Sequence, residues 1–147
     1  MITEPTNEKI GFNILHVEDN ESDCLIFKEL LKEKNNKINV QNCYNGEEAI
    51  NFFKNPENQL PDIIILDLNI PRIKGTEVLT WLKANKLTVH IPVLILTTSI
   101  LESDIMACYQ NFANCYLRKP KNLNEYISII GKIEEFWLST VVLSNRN

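Results

Sequence analysis

The length and charge of the chain favour one globular domain and argue against nucleic-acid binding. The sequence has 147 residues, of which 44% are hydrophobic and 23% charged, and its formal net charge is -4. Such a chain can bury one core, and an acidic balance without a basic stripe gives no reason to expect a nucleic-acid partner. The longest apolar runs are strand-length, so no membrane span is predicted. The polar N-terminus does not resemble a signal peptide, and we expect a cytoplasmic protein.

The four cysteines do not have the spacing of a metal site. They stand at positions 24, 43, 108 and 115, and the chain has only two histidines. Without a C-x-x-C pair, a zinc site is not expected. We interpret the cysteines as reduced, mostly buried thiols without a function of their own.

Strands and helices alternate five times along the chain. The predicted strands cover residues 12–17, 38–43, 63–67, 93–97 and 115–118. The predicted helices cover residues 22–34, 46–55, 75–85, 102–111 and 123–139. The first helix is expected to be capped by Asn20 or Ser22, and Asn122 with Glu125 resembles a capping box for the last. The alternation predicts a parallel sheet covered by helices on both faces.

The same pattern sets the domain boundaries. Residues 12–140 form the predicted domain, residues 1–11 a disordered N-terminal arm, and residues 141–147 a C-terminal tail. No repeat, low-complexity tract or linker divides the chain, so we expect neither a second domain nor an output domain.

Polar side chains follow four of the predicted strands. Glu18 and Asp19 follow the first strand, Asp67 ends the third, Thr97 ends the fourth and Lys119 follows the fifth. Each residue alone has an ordinary explanation, such as a helix cap, a turn, or an Asx turn at Asp67. Together they are more informative, because the carboxyl ends of parallel strands meet at one edge of a sheet, where open α/β sheets place their sites. His16, inside the first strand, is interpreted as a structural histidine.

This set of residues is suited to phosphoryl chemistry. Three carboxylates at one edge repel one another unless a cation is present, and oxygen ligands suit Mg²⁺. Asp67 is then positioned to attack phosphorus and form an acyl phosphate. Lys119 and Thr97 would contact the phosphoryl oxygens.

The chain resembles the receiver domain of two-component response regulators over about residues 12 to 139. The resemblance is carried by the acidic pair in His16-Val17-Glu18-Asp19-Asn20, by Leu66-Asp67-Leu68-Asn69-Ile70-Pro71 with Gly75 after it, by Leu96-Thr97-Thr98-Ser99, and by Tyr116-Leu117-Arg118-Lys119-Pro120. It implies a flavodoxin-like fold of five parallel strands, in the order 2-1-3-4-5, with five helices.

The resemblance also implies the roles of the acidic residues. Asp67 would accept a phosphoryl group from a sensor histidine kinase, in a reaction that the protein itself catalyses, as it does the slow dephosphorylation. Glu18, Asp19, Asp67 and the backbone carbonyl of Asn69 would hold Mg²⁺.

The remaining motifs imply a switch. Lys119 would contact the phosphoryl group, with the Lys119–Pro120 bond expected to be cis. Thr97 and Tyr116 would form a switch pair that changes a protein-interaction surface on phosphorylation.

A narrower resemblance is to the stand-alone regulators that partner bacterial and cyanobacterial phytochrome kinases. It rests on the motifs around Asp67 and Thr97, on the segment Asn114-Cys115-Tyr116-Leu117 and on the tail Ile133-Glu134-Glu135-Phe136-Trp137-Leu138. Phe136 and Trp137 either close the core or, with residues 141–143, form a homodimer contact.

The output of the protein and two alternative functions remain to be considered. The output is either a contact with a downstream protein or a step in a phosphorelay. A degenerate receiver would act as a binding module without phosphorylation. An aspartyl-nucleophile phosphatase is disfavoured, because Asn69 occupies the position of that enzyme's second, proton-transferring aspartate.

Overall fold

The computed structural model describes residues 11–144, so the predicted N-terminal arm, apart from Gly11, and the last three residues of the predicted tail lie outside the described part. The strands are β1 (Phe12–Val17), β2 (Ile38–Cys43), β3 (Ile63–Leu66), β4 (Val93–Thr97) and β5 (Cys115–Arg118). The helices are α1 (Glu21–Lys34), α2 (Gly46–Lys54), α3 (Gly75–Ala84), α4 (Glu102–Gln110) and α5 (Leu123–Ile133), and a π-helical turn (Glu134–Leu138) follows α5. Within residues 11–144, no helix has the length and apolarity needed to cross a bilayer.

All five strands form one parallel sheet in the order β2-β1-β3-β4-β5. The predicted flavodoxin-like order is therefore confirmed. β3 lies between β1 and β4, and its four residues are all buried. This explains its uninterrupted apolar sequence, because a strand covered on both faces has no polar alternation.

Alternate residues of the central strands build two separate cores. Ile64 and Leu66 face α2, α3 and α4 and belong to the cluster we call core 1. Ile63 and Ile65 face α1 and α5 and belong to core 2. Successive side chains of a strand point to opposite faces, so one apolar run supplies both cores and fixes β3 in the middle of the molecule.

Asparagine side chains start three of the helices. The Oδ1 atoms of Asn20, Asn45 and Asn122 accept hydrogen bonds from backbone N–H groups three residues later, at 3.0, 2.8 and 2.9 Å. The cap of α1 is therefore Asn20 and not Ser22. At α5 the reciprocal bond differs from a capping box, because Glu125 accepts from Lys121 N rather than from the cap residue. These caps begin each helix within a few residues of the preceding strand.

The last predicted helix, 123–139, does not stay α-helical to its end. α5 ends at Ile133, and the π-helical turn continues to Leu138. Val141 N donates to Phe136 O at 2.8 Å, which is an i→i+5 bond. Ile133 and Leu138, five residues apart, are both buried in core 2. The wider turn thus lets both side chains face the same core.

The cysteines are free thiols, as expected from their spacing. Cys24, Cys43 and Cys108 are buried, and Cys115 is partly buried. Burial raises the pKa of Cys24, Cys108 and Cys115 to about 11. Such thiols are protonated and unreactive at neutral pH.

His16 is a buried histidine in the middle of the sheet. It is 2% exposed, and its ring lies 4.3 Å from that of Phe27 between centroids. Burial, followed by the charge of Lys119, lowers the pKa of His16 to about 3. The sequence-based interpretation of a structural histidine agrees with this environment.

We predict that His16 stays neutral in the folded protein from pH 8 to pH 5, because its folded pKa lies below its unfolded value of about 6.5. The unfolded chain then binds the extra proton, so this histidine lowers the free energy of unfolding as the pH falls below about 6.5. NMR of the imidazole nitrogens checks this, with the urea-unfolded protein as the control. A folded-state titration of His16 near pH 6.5 would contradict it.

Gly75 begins α3 directly against the chain that carries Asp67. A Cβ atom at this position would lie 2.3 Å from Asp67 O and 2.6 Å from Leu68 Cα, both backbone atoms. By contrast, a Cβ at Gly131 in α5 would lie 3.8 Å from the flexible end of Lys34. Only the first glycine is required by close packing.

We therefore predict that Gly75→Ala lowers the free energy of unfolding by about 1–3 kcal/mol, because the backbone after β3 must shift. Gly131→Ala is the matched control and should raise it by about 0.5–1 kcal/mol, since alanine is the better helix former. Urea unfolding followed by circular dichroism measures both. Equal effects of the two substitutions would show that the contact at Gly75 is not restrictive.

Candidate functional site

The ends of β1 and β3 bring three carboxylates together. Glu18 and Asp19 follow β1, and Asp67 follows β3, its N–H still bonded to Val17 O at 3.0 Å. One oxygen from each carboxylate lies within 4.8 Å of the others. Glu18 is 0% and Asp67 4% exposed, whereas Asp19 is exposed. The convergence expected from the sequence is therefore present.

Lys119 extends into this acidic cluster from the end of β5. Its backbone N–H donates to Thr97 O at 2.8 Å, which anchors the residue to the sheet. Its Nζ donates to Glu18 Oε1, and to Asp23 Oδ2 and Asp67 Oδ2 at 2.9 Å each. One ammonium thus contacts three carboxylates.

The expected cis bond at Lys119–Pro120 is wrong, because the structure has a trans bond there. Trans is the lower-energy isomer even before proline. With the trans bond, the Lys119 side chain already reaches Glu18 and Asp67, so the contact does not depend on the cis isomer.

The pKa values of Glu18 and Asp67 are shifted in opposite directions by burial and by contacts within the cluster. Burial, followed by the neighbouring Asp67 side chain, raises the pKa of Glu18 to about 9. Burial would also raise the pKa of Asp67, but the neighbouring Glu18, Lys119 and Thr97 side chains together hold it below its ordinary value. Burial opposes the charge of Lys119, yet its three carboxylate partners raise its pKa. The surroundings therefore favour the ionised form of Asp67 and the protonated form of Glu18.

The donor set fits a hard divalent cation. Carboxylate oxygens are the ligands that Mg²⁺ prefers, and three of them lie close together here. Glu18 Oε2 is buried and has no hydrogen-bond partner among the described residues. A buried oxygen of this kind needs a partner, and a cation with its waters would supply one.

Asn69 lies close to the acceptor. Its backbone N–H donates to Asp67 Oδ1 at 3.1 Å, and its side-chain amide donates to Thr98 Oγ1 at 3.4 Å. The first bond forms the Asx turn that the sequence suggested for Asp67, and this turn fixes the carboxylate at the strand end. The role of the Asn69 carbonyl as a metal ligand remains a prediction.

Thr97 and Tyr116 are linked through the loop between β4 and α4. Thr97 is fully buried, and its Oγ1 accepts from Ser99 N at 3.5 Å. The Tyr116 hydroxyl donates to Ser99 O at 2.9 Å, and its ring packs against core 1. Ser99 Oγ also donates to Asp104 of α4. The loop therefore connects the buried threonine with the tyrosine and with α4.

The contacts of Asp23 and Ser99 at the site were not predicted from the sequence. Asp23 occupies the first turn of α1, where an acidic residue is ordinary because it interacts favourably with the helix dipole. Ser99 stands two residues after Thr97, in a motif that carries the family resemblance, but no contact was predicted for it. Nothing in the local sequence signals the contact of Asp23, because Lys119 lies 96 residues later.

Phe136 and Trp137 lie apart from the acidic cluster. They line a groove together with Asn114 and Cys115, where β5 begins, whereas the acidic cluster lies where the strands end. Phe136 is 54% exposed and stands edge-on to Trp137, with 5.6 Å between ring centroids. Trp137 packs against core 2, and Leu143, a residue of the predicted apolar strip, is buried there. Trp137 is therefore partly buried against the core, whereas Phe136 is exposed.

Comparisons with known proteins show the family of this chain. The family model of the response regulator receiver domain matches residues 14–131 of this sequence. The response regulator Rcp1 of Synechocystis is 40% identical over 134 residues, which cover 88% of this chain and 91% of Rcp1.

Two solved structures have a similar fold. The Mn²⁺-bound form of Rcp1 has a TM-score of 0.85 at 38% identity and covers 90% of this chain and 98% of its own. The phosphorylated cyanobacterial phytochrome response regulator RcpA also has a TM-score of 0.85 at 38% identity, with coverage of 91% and 99%. With its fold, its strand-end acids and these similarities, the chain belongs to the response regulator receiver domain family.

Proposed function

We propose that this protein is a phosphoacceptor signalling protein in which Asp67 takes a phosphoryl group from a sensor histidine kinase. We assign the receiver to residues 12–140 and the Mg²⁺ ligands to Glu18, Asp19, Asp67 and the Asn69 carbonyl. The proposal rests above all on the convergence of the Lys119 ammonium and the acidic cluster on Asp67.

The proposed reaction needs no general base. An oxygen of the ionised Asp67 attacks phosphorus, the bond from phosphorus to the donor nitrogen breaks, and its electron pair returns to the imidazole of the kinase. The product is an acyl phosphate on Asp67. Mg²⁺ would neutralise charge on the phosphoryl oxygens. Lys119 supplies a fixed positive charge within 2.9 Å of the attacking carboxylate, so the site needs little rearrangement.

The proposed switch uses Thr97 and Tyr116. A hydrogen bond from Thr97 to the new phosphoryl group would change its bond with Ser99 N, and Ser99 is also bonded to Tyr116 and Asp104. The state of Asp67 would thereby alter α4 and β5. The output would be a contact with a downstream protein or with a phosphotransfer protein.

The proposed partner is a phytochrome-type kinase. This is supported by the 38% identity with RcpA, which is described as a phytochrome response regulator. We further propose that the protein acts in the cytoplasm, binds neither nucleic acid nor membrane, and has no catalytic activity beyond its own phosphorylation and slow dephosphorylation.

We predict that acetyl phosphate with Mg²⁺ adds one phosphoryl group to the wild-type protein, and none to Asp67→Asn, because the amide is not a nucleophile. Intact-protein mass spectrometry measures the adduct, with EDTA in a parallel sample. Glu57→Gln, which changes an exposed acid in the loop after α2, is the matched control and should react like the wild type.

A wild-type protein without an adduct leaves two explanations, which beryllofluoride separates. A change in Trp81 or Trp137 fluorescence on its addition would indicate a functional site whose acyl phosphate hydrolyses quickly. No change would favour a degenerate receiver and contradict the proposed phosphotransfer.

We also propose that the surface around Phe136 forms a homodimer contact. Beside this exposed ring lies an apolar groove of about 340 Å³, lined in part by Cys115, Leu117 and Ile129. Exposed aromatic side chains next to an apolar groove are typical of an interface. A twofold pair would place the ring of each copy on the groove of the other.

We predict that the wild-type protein sediments as a dimer at tens of micromolar, and that Phe136→Asp shifts it to a monomer, because a charge would be buried in the contact. Analytical ultracentrifugation measures this. Leu87→Asp, at a side chain that is 65% exposed in the segment before β4, is the matched control. A wild-type monomer in both the unphosphorylated and phosphorylated states would rule out the dimer.

A further inference from the structure

The partners of Lys119 come from three different elements. An ammonium has three N–H donors, and here the donors bond to Glu18 after β1, Asp67 after β3 and Asp23 in the first turn of α1. Its hydrogen-bonding capacity is thus filled by side-chain carboxyl groups alone. Since a lysine side chain has four flexible carbon–carbon links, the direction of its ammonium depends on these partners.

Two of the partners have a second role in the proposed function. Asp67 would become the acyl phosphate, and Glu18 would face the cation. Asp23 does not belong to the group of oxygens within 4.8 Å that could hold a metal. It is therefore the partner of Lys119 whose chemistry does not change when the site is loaded or phosphorylated.

The position of Asp23 is itself well fixed. Its N–H donates to the cap residue Asn20 at 3.0 Å. α1 is held against the sheet by Phe27 and Leu31, which are fully buried. The Asp23 side chain is 25% and that of Lys119 11% exposed, so water screens this ion pair less than it screens a pair on the open surface.

We propose that Asp23 is a positioning residue that holds the Lys119 ammonium towards Asp67 before and after phosphoryl transfer. The part of this inference that concerns the reaction rests on the proposed function. The part that concerns the ammonium is independent of it. With Asp23 neutralised, Lys119 keeps only the two partners that the reaction itself changes.

The ammonium is tested first, by NMR of the lysine ¹⁵Nζ groups, with Lys119→Arg to assign the signal. An ammonium whose three N–H groups all bond to side-chain carboxyl groups exchanges its protons slowly and gives a visible signal. Asp23→Asn should shift this signal and accelerate its exchange, because bonds to a neutral acceptor are weaker than bonds to a carboxylate. Lys83, which donates to Val89 O and Ile91 O, is the internal reference and should not change.

The reaction is tested by the rate of phosphoryl uptake from acetyl phosphate at saturating Mg²⁺. Asp23→Asn should slow uptake roughly tenfold, because a small misplacement of a charged group is costly in a transition state. Asp23→Glu should recover most of the rate by restoring the carboxylate. Glu21→Gln, which removes an exposed acid from the same turn of α1, should stay within about twofold of the wild type.

The outcomes separate this inference from the proposed function. It is overturned if the wild-type Lys119 signal is lost to exchange, if Asp23→Asn leaves that signal unchanged, or if Asp23→Asn phosphorylates as fast as the wild type. It is also overturned if Glu21→Gln slows the reaction equally, since the effect is then one of overall charge. If the wild type takes up no phosphoryl group and beryllofluoride leaves its fluorescence unchanged, the proposed function fails, and the Lys119 signal alone decides whether Asp23 fixes the ammonium.

Discussion

The site depends on one electrostatic constraint, which is that several carboxylates are held close together in a largely buried environment. Glu18 and Asp67 are almost completely buried, and Asp19 lies beside them. Like charges at such distances in a low dielectric are costly unless a cation or a proton compensates them. Lys119 supplies part of this compensation. This balance of charge is the physical basis for the cation and the phosphoryl group that we propose for the site.

The sheet makes this arrangement possible. Parallel strands end at the same edge, so residues far apart in the chain become neighbours, and two cores hold the strands in register. The apolar run of β3 fixes the position of Asp67 because it is covered on both faces. The close approach of Gly75 to the Asp67 backbone then packs α3 against the loop that presents the carboxylate. A larger residue at position 75 would therefore disturb the backbone that carries Asp67.

Much of the fold and part of the site could be predicted from local patterns. The strand bounds agree to within one residue at β3 and fully elsewhere. The central strands β3 and β4 were predictable because a strand buried on both faces has a distinct apolar signature. The end of α5 differed, since the π-helical turn results from the packing of Leu138 and Ile133 on the same core rather than from any local propensity. The Lys119–Pro120 bond also differed from the prediction. The family resemblance implied a cis bond, whereas the bond is trans and the Lys119 side chain still contacts Asp67.

The sequence by itself determined the fold class, the strand order through its family resemblance, and the placement of Glu18, Asp19, Asp67, Thr97 and Lys119 at the ends of strands. These features follow from hydrophobic periodicity and from motifs, both of which are local. Only the tertiary structure decided that Lys119 also bonds to Asp23, that Glu18 is the acid whose pKa is raised, and that Phe136 is exposed whereas Leu143 is buried. These depend on contacts between segments distant in the chain, and the hydrogen bonds and burial that create them exist only when the sheet is assembled.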